Sequence, residues 1–260
     1  MTIKYFLLTL FCGILFIGTI GHAQIQSNSW QSNSWHPISP GLDYMKITNH
    51  HEIPGYIHIF RINLQKNTLN LALAEDDIFP ASTVPWMAEK YHALVAVNGG
   101  FFTPIWKPLG LRIQNGHLRN PLKTTAWWPV FYIKNNQPFI ISEKMFSATL
   151  IKDSNITFAI QSGPQLVSNN KIPSLKLGLD ERTAIGITKN NEIILLATEN
   201  WPLATFDLAR FLQQHLDCTQ AMNLDGGSST QLSVNTPKMQ LQAGSFAPIA
   251  DIVYVMEPKP

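Results

Sequence analysis

The chain has 260 residues, 45% of them hydrophobic, and a formal net charge of +2. Near-neutral charge without a basic run argues against nucleic acid or an anionic membrane surface as partner. The length suits one domain with a sizeable core, and two cysteines in the whole sequence are too few for a disulfide framework.

In chain order, Lys4 precedes an apolar run, Tyr5 to Ile20, which ends at Gly21-His22-Ala23. A basic residue, an apolar stretch and small residues at the exit are the parts of a secretory signal, so residues 1–23 are read as a signal peptide cut after Ala23. The run is shorter than the ~20 apolar residues that span a bilayer. Phe11 before Cys12 is not the small residue of a lipoprotein signal. The expectation is an exported chain, periplasmic or secreted, with no stable membrane insertion after cleavage. Residues 24–40 are read as a flexible leader carrying Gln-Ser-Asn-Ser-Trp twice, at 26–30 and 31–35. Residues 41–260 form the domain.

Residues 55–64 and 68–75 alternate apolar and polar around Gln65-Lys66-Asn67 and predict a β-hairpin. Ser82 caps a predicted short helix reaching about His92, with Val84, Met87, Ala88 and Tyr91 on one face. Ala93–Val97 reads as a buried strand. Asn115-Gly116, Asn135-Asn136 and Asn190-Asn191 each punctuate two strand-like runs and predict hairpins. Residues 206–216 place Phe206, Ala209, Leu212 and Leu216 at helical spacing, with Asp207 in the first turn. Cys218 is read as a buried structural thiol, not a nucleophile. Strands at 221–224 and 252–256 follow. Many hairpins and two helices predict a single α+β domain with a mixed, largely antiparallel sheet and few helices.

Four loops carry possible chemistry. Asp225-Gly226-Gly227-Ser228-Ser229-Thr230 follows a short apolar strand. Its glycines allow left-handed backbone, its successive N–H groups suit an anion, and its hydroxyls can donate to phosphate or sugar oxygens. Asp225 can act as acid, base or metal ligand there. Read alone, the stretch is equally a tight Asp-Gly turn. Asn98-Gly99-Gly100 repeats the design after another buried strand, and the two loops share a pocket if both strands end on the same side of one sheet. Gln161-Ser162-Gly163-Pro164 is a third strand-end turn. Arg182-Thr183 is the fourth, where a guanidinium suits phosphate oxygens or a surface ion pair with Asp180 or Glu181. The zinc motifs, nucleophile elbow and Walker loop are missing from the sequence. His50-His51 reads as an exposed loop pair, and neither it nor His58 is assigned a catalytic role.

Together these loops resemble the phosphodiester glycosidase family. The matching stretches are Val97–Phe102, Gln161–Pro164, Arg182–Gly186 and Asn223–Thr230, in the family's order across about residues 93–232, with Ala247–Asp251 also similar. The resemblance implies hydrolysis of a sugar-1-phosphodiester, with a phosphodiester-linked sugar or glycan as partner. It implies Asp225, Arg182, Glu199 and Asn98 as catalytic candidates. Gly99, Gly100, Ser162, Gly163, Thr183, Gly226, Gly227, Ser228, Ser229 and Thr230 would bind substrate or phosphate. Glu199-Asn200 departs from the Asp-Gly that many members carry. A divalent cation at Asp225 is compatible with the resemblance, but no ligand set is legible and no cofactor is assigned. Two alternatives stay open: a non-catalytic binding module for phosphodiester-linked glycans, and a phosphodiesterase that cuts P–O.

Overall fold

A computed structural model of the chain describes residues 34–49, 52–76, 79–146, 150 and 153–258. The signal peptide, residues 24–33 of the leader and the His50-His51 pair lie outside the described residues. His36–Ser39, placed in the leader by the sequence reading, instead pairs with Leu42–Asn49 as an edge strand, and Ile38 and Ser39 are buried.

Three large sheets enclose one core, and a small fourth pairs Leu179–Asp180 with Leu203–Ala204. The first has seven strands in the order His36–Ser39, Leu42–Asn49, Gly55–Ile62, Ile193–Glu199, Thr183–Thr188, Cys218–Asn223, Gln165–Val167. The second has five, from Met239–Gly244 through Gln231–Thr236, Val95–Asn98 and Asp251–Met256 to Thr68–Leu73. The third has five, from His117–Asn120 through Arg112–Gln114, Ile156–Gln161 and Val130–Lys134 to Gln137–Ile141. Every ladder between the described strands is antiparallel, and only two helices are described, so the predicted class stands with the balance toward β.

Phe60, Leu195, Ile185 and Met222 of the first sheet meet Val97 and Val253 of the second and Phe131 and Ile160 of the third in the central core. A second apolar layer covers the first sheet's other face, where the helix Thr205–Gln214 packs. A third lies under the helix Val84–Lys90, on the outer face of the second sheet. Strands covered on both sides lose alternation, which is why Ile193–Ala197 is an unbroken apolar run.

Three local predictions are corrected. Strands 55–62 and 68–73 exist but do not form a hairpin; they lie in different sheets. The first is taken by Leu42–Asn49 and Ile193–Glu199, the second by Asp251–Met256. Both strands put apolar residues on the shared core, so the turn at 63–67 carries the chain from one sheet to the next. Ser82 bridges to Ile249 through its backbone, and Thr83 stands at the helix N-cap. Phe206 is 45% exposed; Leu208 and Phe211 are buried in its place, with Thr205, Ala209 and Leu212. The asparagine turns behave as predicted. Asn115-Gly116 and Asn135-Asn136 take φ near +50 to +77°, as two-residue hairpin turns require, and Asn191 has φ +64°. Cys218 is buried, and burial pushes its thiol well above the usual range, the opposite of an activated nucleophile.

Candidate active site

Antiparallel pairing brings strand ends from all three sheets to one end of the core. Asn98, Gln231 and Asp251 arrive from the second sheet, Arg112 and Gln161 from the third, and Thr183, Glu199 and Asn223 from the first. The Asn98 and Asp225 strands therefore belong to different sheets, yet their loops meet. Asp225 N–H donates to Gly99 O at 3.0 Å, and Asn98 Nδ2 donates to Asp225 O at 2.8 Å.

Asn98 is 1% exposed and joins the sheets. Its Oδ1 accepts the Thr183 hydroxyl at 2.6 Å and the Gln231 N–H at 3.3 Å. Thr183 also lies 3.5 Å from the Thr230 hydroxyl. Asn98, Thr183 and Thr230 thus form a buried knot beneath Asp225.

Gly99 and Gly100 have a different occupation from the predicted anion cradle. Gly99 N–H donates to Asp251 O at 2.8 Å, and Gly100 N–H donates to Asp251 Oδ1 at 2.9 Å. A Cβ at Gly99 would overlap Asp251 Oδ1, and one at Gly100 would overlap the Arg112 guanidinium. The glycines leave room for an ion pair that the sequence reading did not single out. Arg112 and Asp251 both have side chains with no exposure, and Arg112 Nε donates to Asp251 Oδ2 at 2.9 Å. Arg112 Nη1 reaches Leu111 O and Gln161 O, each at 3.0 Å. Burial raises the Asp251 carboxyl, while Arg112 and the Gly100 amide oppose that rise. The sequence signal was an arginine inside an apolar strand, Leu111-Arg112-Ile113, and an acid opening the strand at Asp251.

Asp225 sits above this pair, half-buried. Gly226 N–H donates to its Oδ1 at 2.9 Å, and the Ser229 hydroxyl also bonds it. Burial raises its carboxyl above the usual range; the Ser229 and Gly226 bonds oppose the rise, Asp251 adds to it, and Arg112 opposes it. Gly227, at φ +60°, donates its N–H to Glu181 O at 2.9 Å. Ser229 and Thr230 are buried, and Ser228 is the exposed hydroxyl of the loop.

Arg182 is turned toward main chain: Nε donates to Leu203 O at 2.9 Å and Nη2 donates to Gly178 O. Burial lowers its guanidinium from the usual range, with Asp180 opposing. Glu199 accepts His58 Nε2 at 3.0 Å instead of facing Arg182, and His58 is 2% exposed. Glu181 lies near Glu199 and Asp180. Its own carboxyl, raised first by burial, takes the Asn200 and Trp201 amides and feels Glu199 and Asp180. The 161–164 turn packs on an aromatic wall. Gly163 lies against Trp128, which stacks on Phe101 at 5.0 Å and carries Lys123 Nζ at 5.4 Å, and the adjacent Trp127 is 58% exposed. Trp128 Nε1, Ser162 Oγ and Asn223 Oδ1 are buried here without a hydrogen-bond partner. Among the described residues, no group of three His, Cys, Asp or Glu is placed to hold a metal ion. A cleft of about 450 Å³ between the 84–90 helix and residues 233–242 is separate from Asp225.

Comparison with known proteins leads to the phosphodiester glycosidase family. The model of that family matches residues 91–256, and the chain belongs to it. Within the curated proteins it is similar to YigE, an uncharacterized protein of Escherichia coli K12, at 28% identity over 142 residues. That match covers 51% of this chain and 55% of the relative, so the chain spans about half of that protein's length. The catalytic domain of zebrafish N-acetylglucosamine-1-phosphodiester α-N-acetylglucosaminidase, described as auto-inhibited by its pro-peptide, superimposes with a TM-score of 0.64 at 19% identity, covering 88% of this chain and 87% of that one. A hypothetical protein from Synechocystis gives a TM-score of 0.64 at 16% identity, covering 88% of this chain and 64% of that one. These two likenesses are likenesses of fold.

Proposed function

We propose that the protein is an exported hydrolase that cleaves the glycosidic C–O bond of a sugar-1-phosphodiester in an envelope or extracellular glycan. The observation that carries this reading is Asp225: a carboxyl raised by burial, fixed by Gly226 and Ser229, at the point where three sheets converge. A raised carboxyl is a stronger base once ionised, which suits proton removal from water near neutral pH. Water attacks the anomeric carbon, its proton passes to Asp225, and the C1–O bond breaks with its electron pair leaving on the phosphate monoester. That leaving group is a weak base, so its departure calls for charge stabilisation more than for a proton. Ser228, the exposed hydroxyl of the Asp225 loop, is the group we assign to the phosphate.

Asp225→Asn is expected to lower turnover of an N-acetylglucosamine-1-phospho-alkyl substrate by about 100- to 10,000-fold, the range for loss of a general base, with the fold unchanged by circular dichroism. Wild-type rates in that variant would sink the assignment. Hydrolysis in ¹⁸O water tests the bond cut: label in the sugar supports C–O cleavage, and label in phosphate makes the protein a phosphodiesterase.

A further inference from the structure

The first sheet carries a buried string of side chains that this reaction scheme does not yet use. In the 42–49, 55–62 and 193–199 strands, Tyr44, Phe60 and Leu195 are register partners, as are Lys46, His58 and Ala197; Glu199 pairs with Tyr56 one step on. Tyr44, His58 and Glu199 therefore lie on one face, the face that carries the central core at Phe60 and Leu195. Tyr44 Oη lies 2.8 Å from His58 Nδ1, and His58 Nε2 lies 3.0 Å from Glu199 Oε2. The hydrogen positions follow from chemistry. A carboxylate accepts only, so Nε2 carries a proton; we assign the tautomer in which Nδ1 accepts from the Tyr44 hydroxyl. Burial and the charge of Glu199 both push the Tyr44 phenol far above its usual range, so it stays protonated and donates to Nδ1.

In this tautomer His58 is satisfied at both nitrogens, and every hydrogen bond in the string points toward Glu199. The ring is packed between Tyr44, stacked at 6.1 Å, and Tyr56 at 6.0 Å. Glu199 keeps 27% of its side chain exposed, and the contact that holds it goes from His58 to Oε2. Oε2 is pinned in the protein, and the carboxylate is exposed enough to meet a group outside it. The charged groups that face this end are Lys46 over the Tyr56 ring, Glu181, which feels Glu199, and Asp180 beyond it. Glu181 also accepts the Gly227 N–H through its backbone, which links this string to the Asp225 loop.

We infer that His58, oriented by Tyr44, is a positioning residue that fixes Glu199 as a substrate-contacting acceptor for a hydroxyl of the sugar. This rests on the hydrolase reading above. His58 itself touches no substrate; it acts through Glu199. A merely structural His58 would hold two neighbouring strands together and would affect turnover only through stability.

A double-substitution cycle separates the two roles, because residues that act through one another show non-additive losses. With N-acetylglucosamine-1-phospho-methyl as substrate, His58→Ala and Glu199→Gln are each expected to lower kcat/KM by about 10- to 100-fold, in the range of second-sphere losses at other sites. The double variant should be no worse than Glu199→Gln alone. His58→Gln, which keeps an N–H donor, should recover part of the loss. Additive losses, or full kcat/KM in correctly folded His58→Ala, would overturn the inference. Asp225→Asn serves as the control for the underlying reading. If that variant keeps wild-type activity, the reaction scheme fails; if it is dead and the cycle is additive, only the role of His58 fails. A direct readout covers a protein that turns over no tested substrate. The ring ¹⁵N signals of His58 should shift when N-acetylglucosamine 1-phosphate is added to the wild type and stay still in Glu199→Gln. Unmoved signals in the wild type at saturating ligand would also overturn it.

Discussion

The loops Asn98-Gly99-Gly100 and Asp225-Gly226-Gly227 look like two copies of one device, yet they do opposite things. In the first, both amides turn inward onto Asp251 and the missing side chains make space for the buried Arg112 guanidinium. In the second, the amides of Gly226 and Gly227 go to Asp225 and Glu181, and the loop leaves a half-buried carboxyl and the exposed Ser228 facing outward. A glycine pair after a strand states that backbone must come close to something. It does not state whether that something is the protein or a ligand.

The contrast makes Gly99 the position least able to change. Relief of the overlap in Gly99→Ala requires the Asp251 carboxylate to move, which breaks its bonds to Gly100 and Arg112 together. The expected cost exceeds about 4 kcal/mol, a large part of a typical stability, and the variant should fail to give a cooperative urea transition. Gly227→Ala, in the other loop, asks only for a left-handed alanine near the Asp180 carboxylate at 3.0 Å. It should cost about 1–2 kcal/mol and still unfold cooperatively. Equal effects at the two glycines would show that the loops are less different than their contacts.

The ion pair beneath Gly100 is the next lever. Arg112→Met strands the Asp251 carboxylate without its partner and should cost about 3–5 kcal/mol in urea unfolding, whereas Arg112→Met with Asp251→Leu should recover much of it. A single substitution that costs under about 1 kcal/mol would mean the pair is not what the first loop is built around.

The smallest effect expected is at Asp225 and concerns pH. Its folded carboxyl is raised, so the folded state holds the proton more tightly than the unfolded chain. Stability therefore falls as pH rises from the ordinary carboxylate range through the raised one. Asp225→Asn removes this penalty, so its Tm should exceed that of the wild type at pH 7 and the gap should narrow at pH 4. A gap that widens on acidification would reverse the sign and place Asp225 among the stabilising carboxylates. A carboxyl that weakens the fold it sits in contrasts with Arg112–Asp251, which the fold cannot lose singly.

Local rules made much of this chain legible. The asparagine turns were readable because two-residue hairpins need left-handed backbone, and the helices because their apolar spacing has one period. The position of Asp225 was readable because an acid and two glycines after a short apolar strand form a compact local pattern. The first hairpin was misread because strands 55–62 and 68–73 carry no local mark of which partner each will take. Phe206 was misassigned because helical spacing alone does not say which stripe faces the sheet.

What the sequence determined by itself is therefore the class of fold, the family, and the glycine-bound aspartate, all of which depend on residues near one another in the chain. Tertiary structure alone decided which polar groups meet. Arg112 finds Asp251 across 139 residues, and His58 finds Glu199 across 141. Such pairs form because burial takes Arg112, Asp251 and His58 away from water, so their polar atoms must find partners within the protein. That choice is made by how the three sheets close on one another, and no stretch of sequence announces it.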